Sequence, residues 1–107
     1  MASAKLIVAY PQPKDAEAFD AAYEKEHIPL AVAKLAGKTR ILATKVLQSP
    51  QGPPPFYRIA EVHFPSMEAL QGCAESAGGK ETLAHAVKIS SGGPPVIMIA
   101  EEDTFTF

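Results

Sequence analysis

The sequence predicts an α+β domain in which four strands form one antiparallel sheet and the helices lie on one of its faces. Three observations carry that reading: apolar runs of strand length stopped by prolines, helical periodicity opened by capping residues, and alternation in the order β-α-β-β-α-β.

The first strand is Lys5-Leu6-Ile7-Val8-Ala9-Tyr10, apolar and rich in β-branched residues, closed by Pro11 and Pro13. Asp15 reads as the N-cap of a helix, with Glu17 and Asp20 placed early, where the helix dipole favours acids. Phe19, Ala22, Tyr23, Glu26, His27 and Leu30 recur at three-to-four spacing and mark one helical face. Pro29 has no N–H and disfavours α geometry at Ile28, so the helix is expected to end or kink there. Residues 30–35 could add a further turn before Gly37 breaks it.

A second strand falls within residues 39–48, on Ile41, Leu42, Thr44, Val46 and Leu47. The proline-rich residues 49–55 form a stiff connection that cannot continue a sheet ladder. Residues 56–64 alternate as a third strand, with Phe56, Arg58, Ala60, Val62 and Phe64 on one face and Tyr57, Ile59, Glu61 and His63 on the other. Ser66 caps a second helix carrying Met67, Leu70 and Ala74, expected to break at Gly78-Gly79. Residues 80–89 continue as helix, with Leu83, Ala84, Val87 and His85 toward its inner side. The last strand is residues 95–100, and Glu101-Glu102-Asp103 leads into Phe105 and Phe107. This order is the split unit of the ferredoxin-like fold.

At 107 residues the chain is read as one domain, 1–107. A chain this long buries roughly two thirds of the surface its unfolded form exposes, so it needs no cross-links to fold. The 47% hydrophobic and 21% charged composition argues against disorder. A net charge of -2 with scattered lysines and arginines disfavours nucleic acid and anionic lipid as partners. Cys73 is the one cysteine, which excludes an intramolecular disulfide and a thiolate-rich metal site. The first residues lack the apolar stretch of a signal peptide, and no apolar run approaches membrane-spanning length. The expectation is a soluble, cytoplasmic protein with no membrane partner.

Helices cover only one face of such a sheet, and a face left to water should be polar. Yet Leu6, Ile7, Val8 and Ala9, and Val96 to Ala100, are apolar on both sides. The chain holds no spare element to cover the second face, so a second copy of the sheet is expected there, making a homodimer. The Phe105–Phe107 tail could reach that partner.

Three segments carry a resemblance: residues 6–11 (LIVAYP), residues 19–31 (FDAAYEKEHIPLA) and residues 56–64 (FYRIAEVHF). With Ser66-Met67-Glu68-Ala69-Leu70 downstream, the chain resembles the EthD-like family over nearly its whole length. The Tyr23-x-x-x-His27-x-Pro29-Leu30 segment is the most specific part, and Ala36-Gly37 stands where members often carry Pro-Gly. The resemblance implies a dimeric α/β barrel, two ferredoxin-like subunits whose sheets close around a central cleft. Activity is not implied, because the wider superfamily spans monooxygenases, isomerases, cyclases, dehydratases and haem-degrading enzymes, and a fold does not choose among them.

His27 is the first candidate for chemistry, sharing the stripe of Phe19, Tyr23 and Leu30. A site near a helix C-terminus would favour its imidazolium and hold its pKa in a working range. The alternative is a structural histidine bonded to carbonyls freed by Pro29. Glu61 and His63 form a second pair, able to act as base and acid if their face lines the cleft, and otherwise solvating a strand end. Tyr10, Tyr23 and Tyr57 each offer a phenol to a ligand oxygen or a ring to the core. Arg58 faces away from Glu61 and is not expected in that pocket. His85 and Cys73 are weaker candidates.

His27, His63 and His85 lack zinc spacing, and there is no Gly-rich phosphate loop, so neither metal nor cofactor is expected. Haem with His27 as axial ligand stays open, although the absence of tryptophan weakens the likeness to haem-degrading relatives. The resulting expectation is a protein that binds a small, largely apolar organic metabolite. It would act by cofactor-independent proton transfer of isomerase, cyclase or dehydratase type, or by oxygenation. The alternative is a non-catalytic carrier or accessory protein supporting a partner oxygenase.

Overall fold

The computed structural model describes residues 3–107; Met1 and Ala2, the start of the expected domain, lie outside the described residues. The elements are β1 (Ser3–Pro11), α1 (Ala16–Ala22), a π-helical turn (Tyr23–His27), α2 (Ile28–Lys34), β2 (Arg40–Lys45), β3 (Phe56–Phe64), α3 (Met67–Glu75), α4 (Ala77–Ile89) and β4 (Val96–Glu102). The strands form one sheet in the order β2-β3-β1-β4, every neighbouring pair antiparallel, which is the ferredoxin-like arrangement.

Local chemistry sets the helix starts. Asp15 accepts from the N–H of Ala18 at 3.1 Å, and Ser66 from that of Ala69 at 3.1 Å, each satisfying a donor at a helix N-terminus. Residues on one side of the two central strands, among them Leu6, Val8, Tyr10, Ala60, Val62 and Phe64, pack against Phe19, Tyr23, Ala31, Leu35, Leu70 and Ala86 of the helices. That layer is the core.

Pro29 does not end the helix. The N–H of Ile28 reaches back five residues to the carbonyl of Tyr23, and the chain passes into α2 with Pro29 in its first turn, where a missing N–H costs least. The widened turn absorbs the proline, and helix continues to Lys34.

The break in the second helical stretch falls at Ser76, not at the two glycines. Ser76 leaves α3 in extended conformation and its side chain accepts from the N–H of Gly79 at 3.0 Å, opening α4. Gly78 and Gly79 therefore sit inside the first turn of α4. A Cβ on Gly78 would strike the carbonyl of Lys34, and one on Gly79 the carbonyl of Cys73, so the pair permits close approach to both neighbouring helices. Ala84 and Val87, expected inward, face solvent; Gly79, Thr82 and Ala86 are the buried positions of α4.

The third strand's alternation also fails at one point. β1 and β3 slip register between Tyr10 and Pro11, whose partners are Arg58 and Phe56, leaving Tyr57 as an extra residue. Tyr57 thereby reaches the helix layer, packing edge-on against Phe19, instead of sharing a face with Glu61 and His63.

The other side of the sheet is covered by no helix among the described residues. Its residues include Ile7, Leu42, Ile59, Val96 and Met98, several of them well exposed, with Lys5, Glu61, His63 and Glu102 at one end. No helix among the described residues is long and apolar enough to cross a membrane.

Candidate active site

Spacing by four along α1 and the π turn places Phe19, Tyr23 and His27 in one column, with neighbouring ring centroids 5.7 Å and 5.8 Å apart. Tyr10, at the end of β1, stands edge-on to all three at 5.2, 5.6 and 6.3 Å. Its hydroxyl lies 3.3 Å from Nε2 of His27. Nδ1 of His27 lies 2.9 Å from Nδ1 of His85, whose ring stacks nearly parallel at 5.2 Å. Nε2 of His85 in turn lies 3.7 Å from the Glu26 carboxylate at the surface.

Burial sets the electrostatics. His27 is only 5% exposed, and its removal from water, with His85 adding to the effect, lowers its pKa to about 4. The helix-end dipole expected to favour imidazolium does not operate, because helix continues on both sides of His27. Burial, with Tyr23 nearby, pushes the Tyr10 phenol up. At neutral pH the pair is a neutral imidazole beside a neutral phenol.

The two side chains line a cavity between sheet and helices whose other walls include Leu6, Val8, Ile28, Ala31, Val62 and Leu83. Its third polar residue, Thr82, spends its hydroxyl on the carbonyl of Gly78. The free volume is about 30 Å³, room for a water or two, so a larger occupant must part α2 and α4. A wider hollow of about 290 Å³ at the proline-rich end, lined by Val46, Pro54, Phe56 and Ile59, holds no titratable group.

The sequence candidates therefore divide into two groups, one on each side of the sheet. Tyr10 and His27 meet in the helix-side cavity, and Tyr23 stacks behind them with a buried hydroxyl that has no hydrogen-bond partner among the described residues. Tyr57 is committed elsewhere, donating to Asp20 at 2.7 Å. Arg58 bonds Asp20 and Glu24 and lies over the Tyr23 ring, away from Glu61 as expected.

Glu61 and His63 lie on the opposite, helix-free face, and so cannot share a pocket with His27. Lys5 bridges Glu61 at 2.7 Å and Glu102 at 3.1 Å, and His63 sits 3.7 Å from each of those carboxylates. Ligand atoms of Glu61, His63 and Glu102 fall within 4.8 Å of one another, a trio that could hold a cation. The Lys5 ammonium already supplies positive charge there.

His85 is the residue that sequence reasoning undervalued. It lies 58 positions from its partner, and only its place beside the inner stripe of Thr82, Ala86 and Ile89 hinted at the contact.

The EthD domain profile matches residues 11–89. An uncharacterised 11.0 kDa protein of the thcB–thcC intergenic region of Rhodococcus erythropolis is 29% identical over 98 residues, covering 92% of this chain and 94% of that protein. The crystal structure of an EthD family protein from Bacillus halodurans superposes with a TM-score of 0.86 at 35% identity, covering 96% of this chain and 100% of that one. A dimeric protein of ferredoxin-like fold from Bacteroides fragilis superposes with a TM-score of 0.64 at 10% identity, covering 96% of each chain. At that identity only the fold is shared.

Proposed function

The chain belongs to the EthD family, and on that premise we propose that it binds a small, largely apolar organic molecule between sheet and helices and moves a proton on it without a cofactor. His27 is the proton acceptor and Tyr10 the hydroxyl that aligns a polar group of the ligand with it. The observation that carries this reading is the Tyr10–His27 pair, 3.3 Å apart on the wall of an otherwise apolar cavity. Burial supports the roles: a neutral imidazole can accept a proton, and a phenol that resists ionisation stays a hydrogen-bond donor.

The working unit in this proposal is a homodimer. The exposed apolar side chains of the helix-free face, such as Leu42 and Met98, support a second sheet packed there. Glu61 and His63 then belong to the contact between subunits and take no part in catalysis.

The test is a screen of small organic compounds for shifts in the His27 ring resonances, followed by mass spectrometry for product from each binder. His27→Ala is expected to reduce turnover on the order of 100-fold or more, the scale of a lost acid–base group. Binders that leave the His27 signals unmoved, or turnover that survives His27→Ala, would sink the proposal.

A further inference from the structure

We propose that His85 is a positioning residue that fixes the tautomer of His27 and, with Glu26, carries the proton collected in the cavity out to the surface. The inference rests on the acid–base reading of His27 and extends it to two residues outside the cavity.

The geometry sets the direction of each bond. The Glu26 carboxylate lies 3.7 Å from Nε2 of His85, beyond a direct hydrogen bond, and its negative charge favours the ring hydrogen on that nitrogen. A neutral His85 then has an unprotonated Nδ1, which can only accept from His27 Nδ1 at 2.9 Å. His27 must therefore carry its hydrogen on Nδ1 and present a bare Nε2 to the Tyr10 hydroxyl at 3.3 Å. Both hydrogen bonds of the line then donate outward, from the buried phenol to His27 and from His27 to His85, whose Nε2 hydrogen faces a carboxylate that is 67% exposed.

This direction is the one a base needs. When Nε2 of His27 takes a proton from the ligand, directly or through the Tyr10 hydroxyl, its Nδ1 proton passes to Nδ1 of His85. The Nε2 proton of His85, a side chain 18% exposed, then passes to water, and through water to Glu26. The ligand is left with the electron pair of the broken bond, and one proton leaves at the surface. Return of a proton along the same line, with the tautomers reversed, restores the resting state. His27 thus finishes the step neutral, which its burial requires, and the charge is set down where water can solvate it.

The arrangement depends on the seating of α4. Gly78 and Gly79 let α4 start against α2 and α3, and the stacked His85 ring is the consequence two turns later.

Long-range 1H–15N correlation spectra of the full chain at neutral pH test the proposal without a substrate. The expected pattern is His27 protonated on Nδ1 and His85 on Nε2. In His85→Phe the His27 ring is expected to shift toward Nε2–H. Glu26→Gln, a surface change that leaves the core intact, is expected to mix the tautomers at both rings. Wild-type His27 protonated on Nε2, or a pattern unmoved in both variants, would overturn the relay. If that happened while His27→Ala still abolished turnover, the relay would fall and the acid–base role of His27 would stand.

Discussion

Tyr57 and Arg58 are neighbours in one strand, yet both side chains reach the same carboxylate, Tyr57 at 2.7 Å and Arg58 at 3.2 Å from Asp20. Strict alternation would send them to opposite faces. The extra residue opposite Tyr10 puts both on the helix side, where they tie α1 to the sheet.

That tie predicts acid sensitivity. Burial alone would raise the Asp20 pKa, but hydrogen bonds from Tyr57 and Arg58 and the charge of Lys45 outweigh it and hold the carboxyl below its ordinary range. A lowered acid pKa stabilises the fold above the unfolded value and loses that contribution as pH falls through the folded one. Asp20→Asn is expected to cost about 1–2 kcal/mol at neutral pH and less at pH 3, measured by urea unfolding.

His27 predicts a second slope. With its pKa lowered to about 4 from 6.5, the unfolded chain binds more protons than the folded one between those values, so stability falls as pH drops through that window. The full effect is on the order of 3 kcal/mol at about 1.4 kcal/mol per unit. His27→Gln is expected to flatten this part of the pH profile in denaturant melts; an unchanged slope would place the titration elsewhere.

Gly79→Ala tests how α4 is seated. The new methyl group meets the carbonyl of Cys73 and must push the helix away, at about 1–3 kcal/mol, seen as a drop of several degrees in Tm. The His27–His85 contact is expected to loosen with it, visible as a shift in both ring spectra.

Lys5→Met tests the cluster on the helix-free face. Hydrogen bonds from Lys5 hold Glu102 below the usual carboxylate range, and removing the ammonium leaves Glu61 and Glu102 beside His63 with less positive charge. Zinc ions are expected to raise the Tm of the variant and not of the wild type. Equal shifts in both would show that Lys5 does not govern that trio.

What the sequence determined by itself was local. The apolar run of β1, the Asp15 and Ser66 caps and the column of Phe19, Tyr23 and His27 depend on residues within a few positions of one another, and each stands where periodicity and capping put it. The topology followed from their order. Only the tertiary structure decided the rest, because each remaining feature depends on a distant contact. The slip that turns Tyr57 inward is made between β1 and β3, and the glycines of α4 are explained by carbonyls of other helices. His85 joins His27 only once α4 docks. The separation of His27 from Glu61 has the same origin: a strand pattern shows that two faces exist, but only packing shows which one the helices cover.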